Sequence, residues 1–143
     1  PNRMADFSQL ADFQHSFLAS STTRWATLGK LDKDSGYYHI EMFHATADKS
    51  QALLDQRQME NEYLTSTQRS ANIIFKTTFG SDVDSFTIGF HKSIVSFATM
   101  PDLSDSVLEK AAIDAGFKSR GDIGLYLRSL ILSHQDTLAT KVD

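Results

Sequence analysis

The sequence predicts an α+β fold, and three observations predict it. Between Asn72 and Phe90, two runs dense in β-branched and aromatic residues flank a Gly-Ser-Asp turn, the pattern of antiparallel strands. Between Ala45 and Arg69 lies a polar segment without Gly or Pro, with Ala47, Leu53, Leu54, Met59, Tyr63 and Leu64 spaced among amide and charged side chains. A long, mostly exposed helix fits it best. From Ser93 to Leu132 a strand-like run, a capped helix and a second apolar helix follow one another. The expected architecture is therefore an N-terminal helix, a small antiparallel sheet, a long polar helix and a C-terminal strand-helix-helix.

In chain order, Met4 to Ser20 reads as an amphipathic helix, with Phe7, Leu10, Phe13 or Gln14, Phe17 and Leu18 along one stripe. Ser21 to Gly36 is turn-like, and Trp25 within it is expected as a lid over the core. Tyr37 to His44 suits a strand, since Tyr, Ile and Phe are dense and Gly36 precedes. In Ser85 to Phe90, alternation puts Phe86, Ile88 and Phe90 on one face. His91-Lys92 reads as a tight turn or bulge. Ser93 to Met100 is expected as a strand stopped by Pro101. A helix capped by Asp102 or Ser104 follows, with Val107, Leu108, Ala111, Ala112 and Ala115 as its apolar face. Gly116 stands where a left-handed residue ends a helix, with Phe117 as its hydrophobic companion. Ser119-Arg-Gly-Asp122 has capping-box spacing and starts a helix running to Leu132, after which His134 to Asp143 reads as a fraying tail.

With 143 residues, one domain spanning 1–143 is the expectation, with a possible sub-boundary near Lys92 that would separate 1–92 from 93–143. A hydrophobic share of 41% and a charged share of 22% argue against global disorder. Cysteine is absent, which removes disulfides, thiolate metal sites and cysteine nucleophiles, and suits a cytoplasmic setting. No apolar run approaches the ~18 residues of a membrane span, and the opening residues lack a secretory-leader pattern, so no membrane association is expected. A net charge of −4 argues against coating nucleic acid by bulk charge.

Few motifs carry chemistry. Glu41-Met-Phe-His44 has the Glu-x-x-His spacing with which a helix feeds a carboxylate and an imidazole to one metal, but a dinuclear site needs two such units. No metal and no cofactor are expected, and a metal-dependent enzyme around Glu41 and His44 is the remotest reading. Neither a Gly-x-Ser-x-Gly elbow nor a Gly-rich phosphate loop occurs. Ser119 and Arg120 offer either a phosphate seat at a helix N-terminus or an ordinary cap. The helix from Ile123 to Leu132 is apolar on most faces, which means burial between subunits or at the centre of a monomer. The first alternative makes Phe7, Phe17, Ile123, Leu127, Leu130 and Ile131 an oligomer interface.

Val95-Ser-Phe-Ala-Thr-Met-Pro101, Leu108-Glu-Lys-Ala-Ala-Ile-Asp-Ala-Gly116 and Ser119-Arg-Gly-Asp-Ile-Gly-Leu-Tyr-Leu-Arg128 together resemble the ribbon-helix-helix family. The likeness is to its accessory DNA-binding proteins of plasmid transfer and partition. The resemblance implies a dimer whose paired strands enter the major groove, with Ile94, Ser96 and Ala98 or the opposite register as the reading face, Lys92 as its basic residue, and Ser119 and Arg120 at a phosphate. The first functional expectation is thus a non-enzymatic dimeric DNA-binding accessory or regulatory protein. The alternative is a protein-interaction or adaptor module, of phage or plasmid type, that oligomerises through apolar helices.

Overall fold

A computed structural model describes residues 12–141. The chain is α+β, built on a five-stranded antiparallel sheet. Its elements are β1 (Leu18–Ser20), α1 (Trp25–Asp34), β2 (Tyr37–Ala45), α2 (Ser50–Ser66), β3 (Ile73–Phe79), β4 (Ser85–His91), α3 (Ile94–Ala98), α4 (Asp105–Asp114), α5 (Asp122–Leu130) and β5 (Ile131–Thr140). The strands lie in the order β1-β3-β4-β2-β5. In β2-α2-β3 the helical crossover joins two strands that are not neighbours, because β4 lies between them. The segment β4 to β5 crosses over through α3, α4 and α5 in the same way, which is the split βαβ arrangement with β1 added at an edge.

Helix α2 is the hub of the core. Its Leu53 meets Phe43 and Ala45 of β2 and Leu130 of α5, while Tyr63 packs with Ala111, Ala112, Ala115 and Phe117. The helix expected to be mostly exposed thus buries Leu53, Gln56, Arg57, Tyr63 and Leu64. Its polar pattern misleads because two of the buried residues are Gln56 and Arg57, held by internal hydrogen bonds. Asp84, just before β4, fixes the start of this unit: its carboxylate accepts from the Ala45 amide at 2.7 Å and the Ser50 hydroxyl at 2.6 Å.

Helix α4 ends as expected. Gly116 has φ +100, its amide donates to Ile113 and that of Phe117 to Ala112, and the Phe117 ring is buried. Ser104 caps the other end by accepting from the Val107 amide.

Several expectations are corrected. Ser93 to Met100 forms no strand: Ser93 Oγ accepts from the Ser96 amide and opens α3. Phe97 of α3 lies against the rings of Tyr37, His39 and His91, and this packing outweighs the β propensity of Ile94 and Val95. The C-terminal order is accordingly three helices and then a strand. The helix expected to reach Leu132 stops at Leu130, and the supposed tail is β5, paired with β2 from Tyr37 to Ala45. His91 belongs to β4 and not to a turn. Within Ser21 to Gly36, α1 forms, and its Trp25 is 85% exposed and covers no core. Of the N-terminal helix, Phe7 and Leu10 lie outside the described residues, and Leu18–Ser20 is a strand pairing with β3.

Candidate functional site

Strand alternation divides the sheet into two faces of different chemistry. On β2, Tyr37, His39, Glu41, Phe43 and Ala45 point towards α2, while Tyr38, Ile40, Met42 and His44 point outwards. On β4, Phe86, Ile88 and Phe90 share the outer face, and Phe75 of β3 stacks on Phe86 with ring centroids 4.6 Å apart. The expected shared face of Phe86, Ile88 and Phe90 is thus present. These outer residues are half-buried, and none carries a formal charge. Helix α1 leans along one side of this face and buries none of its own residues. It is tied down where Asp32 accepts from the Tyr38 hydroxyl at 2.7 Å and Lys141 at 3.1 Å. Those two partners, Tyr38 first, hold the Asp32 carboxyl below its usual pKa, and the same bond holds the Tyr38 hydroxyl above its own. Between α1 and the strands runs an apolar trough of about 560 Å³ lined by Trp25, Leu28, Ile40, Phe75, Phe86 and Ile88.

The inner face carries a polar cleft of about 290 Å³ beside α3, lined by His39, Glu41, Arg69, Asn72, His91 and Phe97 among others. His39 Nε2 lies 2.9 Å from Asp136 Oδ1, and Asp136 Oδ2 is 3.2 Å from His134. Glu41 Oε2 accepts from Thr87 at 2.8 Å and lies 3.6 Å from the buried Arg57 guanidinium, which also bonds Gln56 and Glu60. Burial, then the neighbouring His39 and Arg69, hold His91 below the usual imidazole pKa. Gly89 makes room for this cluster, since a Cβ there would lie 2.8 Å from both His91 Nε2 and Asn72 Oδ1.

The structure disperses the residues singled out from the sequence. Glu41 and His44 are separated by an odd number of positions on a strand, so they face opposite ways; His44 instead meets Asp82 and Ser133. Ser96 opens into the polar cleft, whereas Arg120 lines a separate concavity with Asp105, Ser106 and Glu109. Arg120 is engaged there, its guanidinium with Asp105 at 3.0 Å and its amide with Glu109 at 3.1 Å. Ser119 Oγ accepts from the Asp122 amide in the turn before α5, whose N-cap position is Gly121. Each carboxylate takes one donor of Arg120, and both bonds are exposed. Lys92 is exposed just before α3 and Ala98 is exposed as its last residue, so neither they nor Ser96, within the helix, lie on a strand. Ile123, Leu127, Leu130 and Ile131 pack into the chain's own core, with Leu130 only 4% exposed. Leu125 of the same helix is 63% exposed, so α5 lies on the core by one face and is not covered on most of its faces. Phe7 lies outside the described residues, and Phe17 is half-buried, edge-on to Phe86 on the outer face.

Sequence reasoning missed His39 and Asp136, since they sit far apart in the chain and meet only through the β2–β5 register. No family model matches the chain, and neither a curated protein nor a solved structure matches it. Among the described residues no helix is long and apolar enough to cross a membrane.

Proposed function

We propose that the chain is a self-assembling interaction module whose two copies meet through the outer sheet face. The observation that carries this reading is an apolar, uncharged face at the centre of the sheet, over which the described residues place only the edge contacts of α1 and Phe17 and no layer like α2 on the other side. A sheet face normally needs a second layer to bury it. Five strands ~4.8 Å apart and about seven residues long span roughly 24 by 23 Å. With side-chain relief that approaches the ~800 Å² per partner of a stable interface. The occupant we favour is a second copy. Each chain carries a net charge of −4, and copies approach with least repulsion through a neutral surface. A two-fold axis lying between the facing sheets, over β4, would set the two apolar faces together with polar β5 residues such as Ser133, Gln135 and Thr137 at the rim. A cytoplasmic setting goes with this reading, on the absence of cysteine.

Sedimentation equilibrium from low to high micromolar concentration tests it. The unmutated chain should dimerise, and Ile88→Lys, on the central face, should be monomeric with the far-ultraviolet circular dichroism retained. Two buried charges per dimer, at several kcal/mol each, should weaken association by roughly a thousandfold or more. Leu138→Lys, on the opposite face of the edge strand, should dimerise normally. An unmutated chain that stays monomeric at high micromolar concentration refutes the reading, as does a dimer lost in Leu138→Lys but kept in Ile88→Lys.

A further inference from the structure

The inner face brings three metal-ligand side chains together from two strands. His39 and Glu41 are two residues apart on β2, so they share a face, and Asp136 of β5 stands directly opposite Glu41 in the register. One ligand atom from each lies within 4.8 Å of the others. We propose that His39, Glu41 and Asp136 bind a divalent first-row transition ion, with Zn²⁺ the natural probe.

Donors around one such ion at ~2.0–2.2 Å stand roughly 3.3 Å apart, so side-chain rotation without backbone movement closes the site. The imidazole selects against Mg²⁺ and Ca²⁺, which take oxygen alone. The supporting contacts suit a ligand role. Thr87 and Arg57 both engage Oε2 of Glu41, and among the described residues no hydrogen bond reaches Oε1. Such outer contacts fix a ligating carboxylate in place. Asp136 is flanked by His39 on one oxygen and His134 on the other, so a second imidazole stands beside the site. Burial is graded in the way a loaded site needs, with the His39 and Glu41 side chains 19% and 13% exposed and Asp136 open at the sheet edge.

Three protein donors leave coordination positions open, the arrangement of a catalytic or ligand-binding ion rather than a structural one. Those positions would face the cleft that His39 and Glu41 line, with Arg69, Asn72 and His91 on its wall. The wall suits a small anion, a carboxylate or phosphate, that joins the ion and is met by the Arg69 cation. This site is independent of the outer face, since alternation puts the two on opposite sides of β2.

The test is calorimetric titration of chelator-treated full chain with Zn²⁺ alone, with the visible absorption of a Co²⁺ complex as a second readout. One ion per chain is expected. Asp136→Asn is isosteric and exposed, so it leaves folding intact; it and His39→Ala should each weaken affinity by roughly a hundredfold. His44→Ala, on the other face, should bind as the unmutated chain does. No binding tighter than high micromolar, or binding unchanged in both Asp136→Asn and His39→Ala, overturns the proposal and leaves His39–Asp136 as a hydrogen-bonded pair.

Discussion

Replacing Arg57 by alanine should cost the fold about 3–5 kcal/mol, because it strands a buried carboxylate. The Arg57 side chain is 2% exposed and lies on α2 beneath the sheet. Its Nε donates to Gln56 at 2.8 Å, its terminal nitrogens reach Glu60 and Glu41, and its guanidinium stands 5.0 Å from the centre of the Phe43 ring. Alanine removes all of these together with the packed stem. Glu60 can turn towards solvent, whereas Glu41, largely covered, keeps the Thr87 hydroxyl as its hydrogen-bond partner among the described residues. In a domain of this size each kcal/mol moves the melting temperature by about 3–4 °C, so a fall of roughly 10–20 °C is expected. Thermal melts and urea unfolding by circular dichroism measure it. The cause is isolated by adding Glu41→Gln, which removes the stranded charge and should restore at least about 1 kcal/mol. A single-variant loss below ~1 kcal/mol, the size of a surface pair, would refute the reasoning, and so would a double variant no more stable than the single.

Two other substitutions probe the cleft and the helix end. Because His91 is held below the usual imidazole value, the unfolded chain takes up its proton first; the stability tied to the neutral ring is present above about pH 6.5 and lost as pH falls below it. His91→Gln should therefore flatten the acid side of the plot of melting temperature against pH, and an unchanged slope there would contradict this. Gly116→Ala places a Cβ at φ +100, within 3.1 Å of the Met59 methyl, which can move aside. The backbone strain that remains should cost about 1–2 kcal/mol in urea unfolding.

Local signals were legible in the sequence, and long-range ones were not. The end of α4 was fixed by residues adjacent in the chain, Ala115-Gly116-Phe117, and it formed as expected. Strands β3 and β4 followed from runs of β-branched and aromatic residues about a turn, and the shared face of Phe86, Ile88 and Phe90 from alternation. Strand β5 was invisible because an exposed edge strand has no apolar rhythm: Ser133 to Thr137 is polar on both faces, and the pairing comes from β2. Helix α3 shows the converse, an apparent strand turned into a helix by the Ser93 cap and by the aromatic contacts of Phe97. α5 was ambiguous for a different reason. An apolar helix says that it is covered, and only the tertiary structure shows that α2 does the covering.

The same geometry explains why the candidate site was misread. Glu-x-x-His is a ligand spacing only on a helix, where i and i+3 share a face. Tyr37 to Ala45 is a strand with period two, so Glu41 keeps company with His39 and the residue opposite on β5, while His44 turns to the outer face. One strand thus encodes both chemistries of the molecule. Its odd positions supply the core and the ligand cluster, and its even positions supply the uncharged surface. A slip of one residue in the register of β2 would exchange the two sets, burying His44 against α2 and exposing Phe43. Phe43 is fully buried between Leu53 and Leu130, and Glu41 is fastened to Arg57, so both the apolar and the charged contacts oppose that slip. The register that builds the core is therefore the register that assembles His39, Glu41 and Asp136.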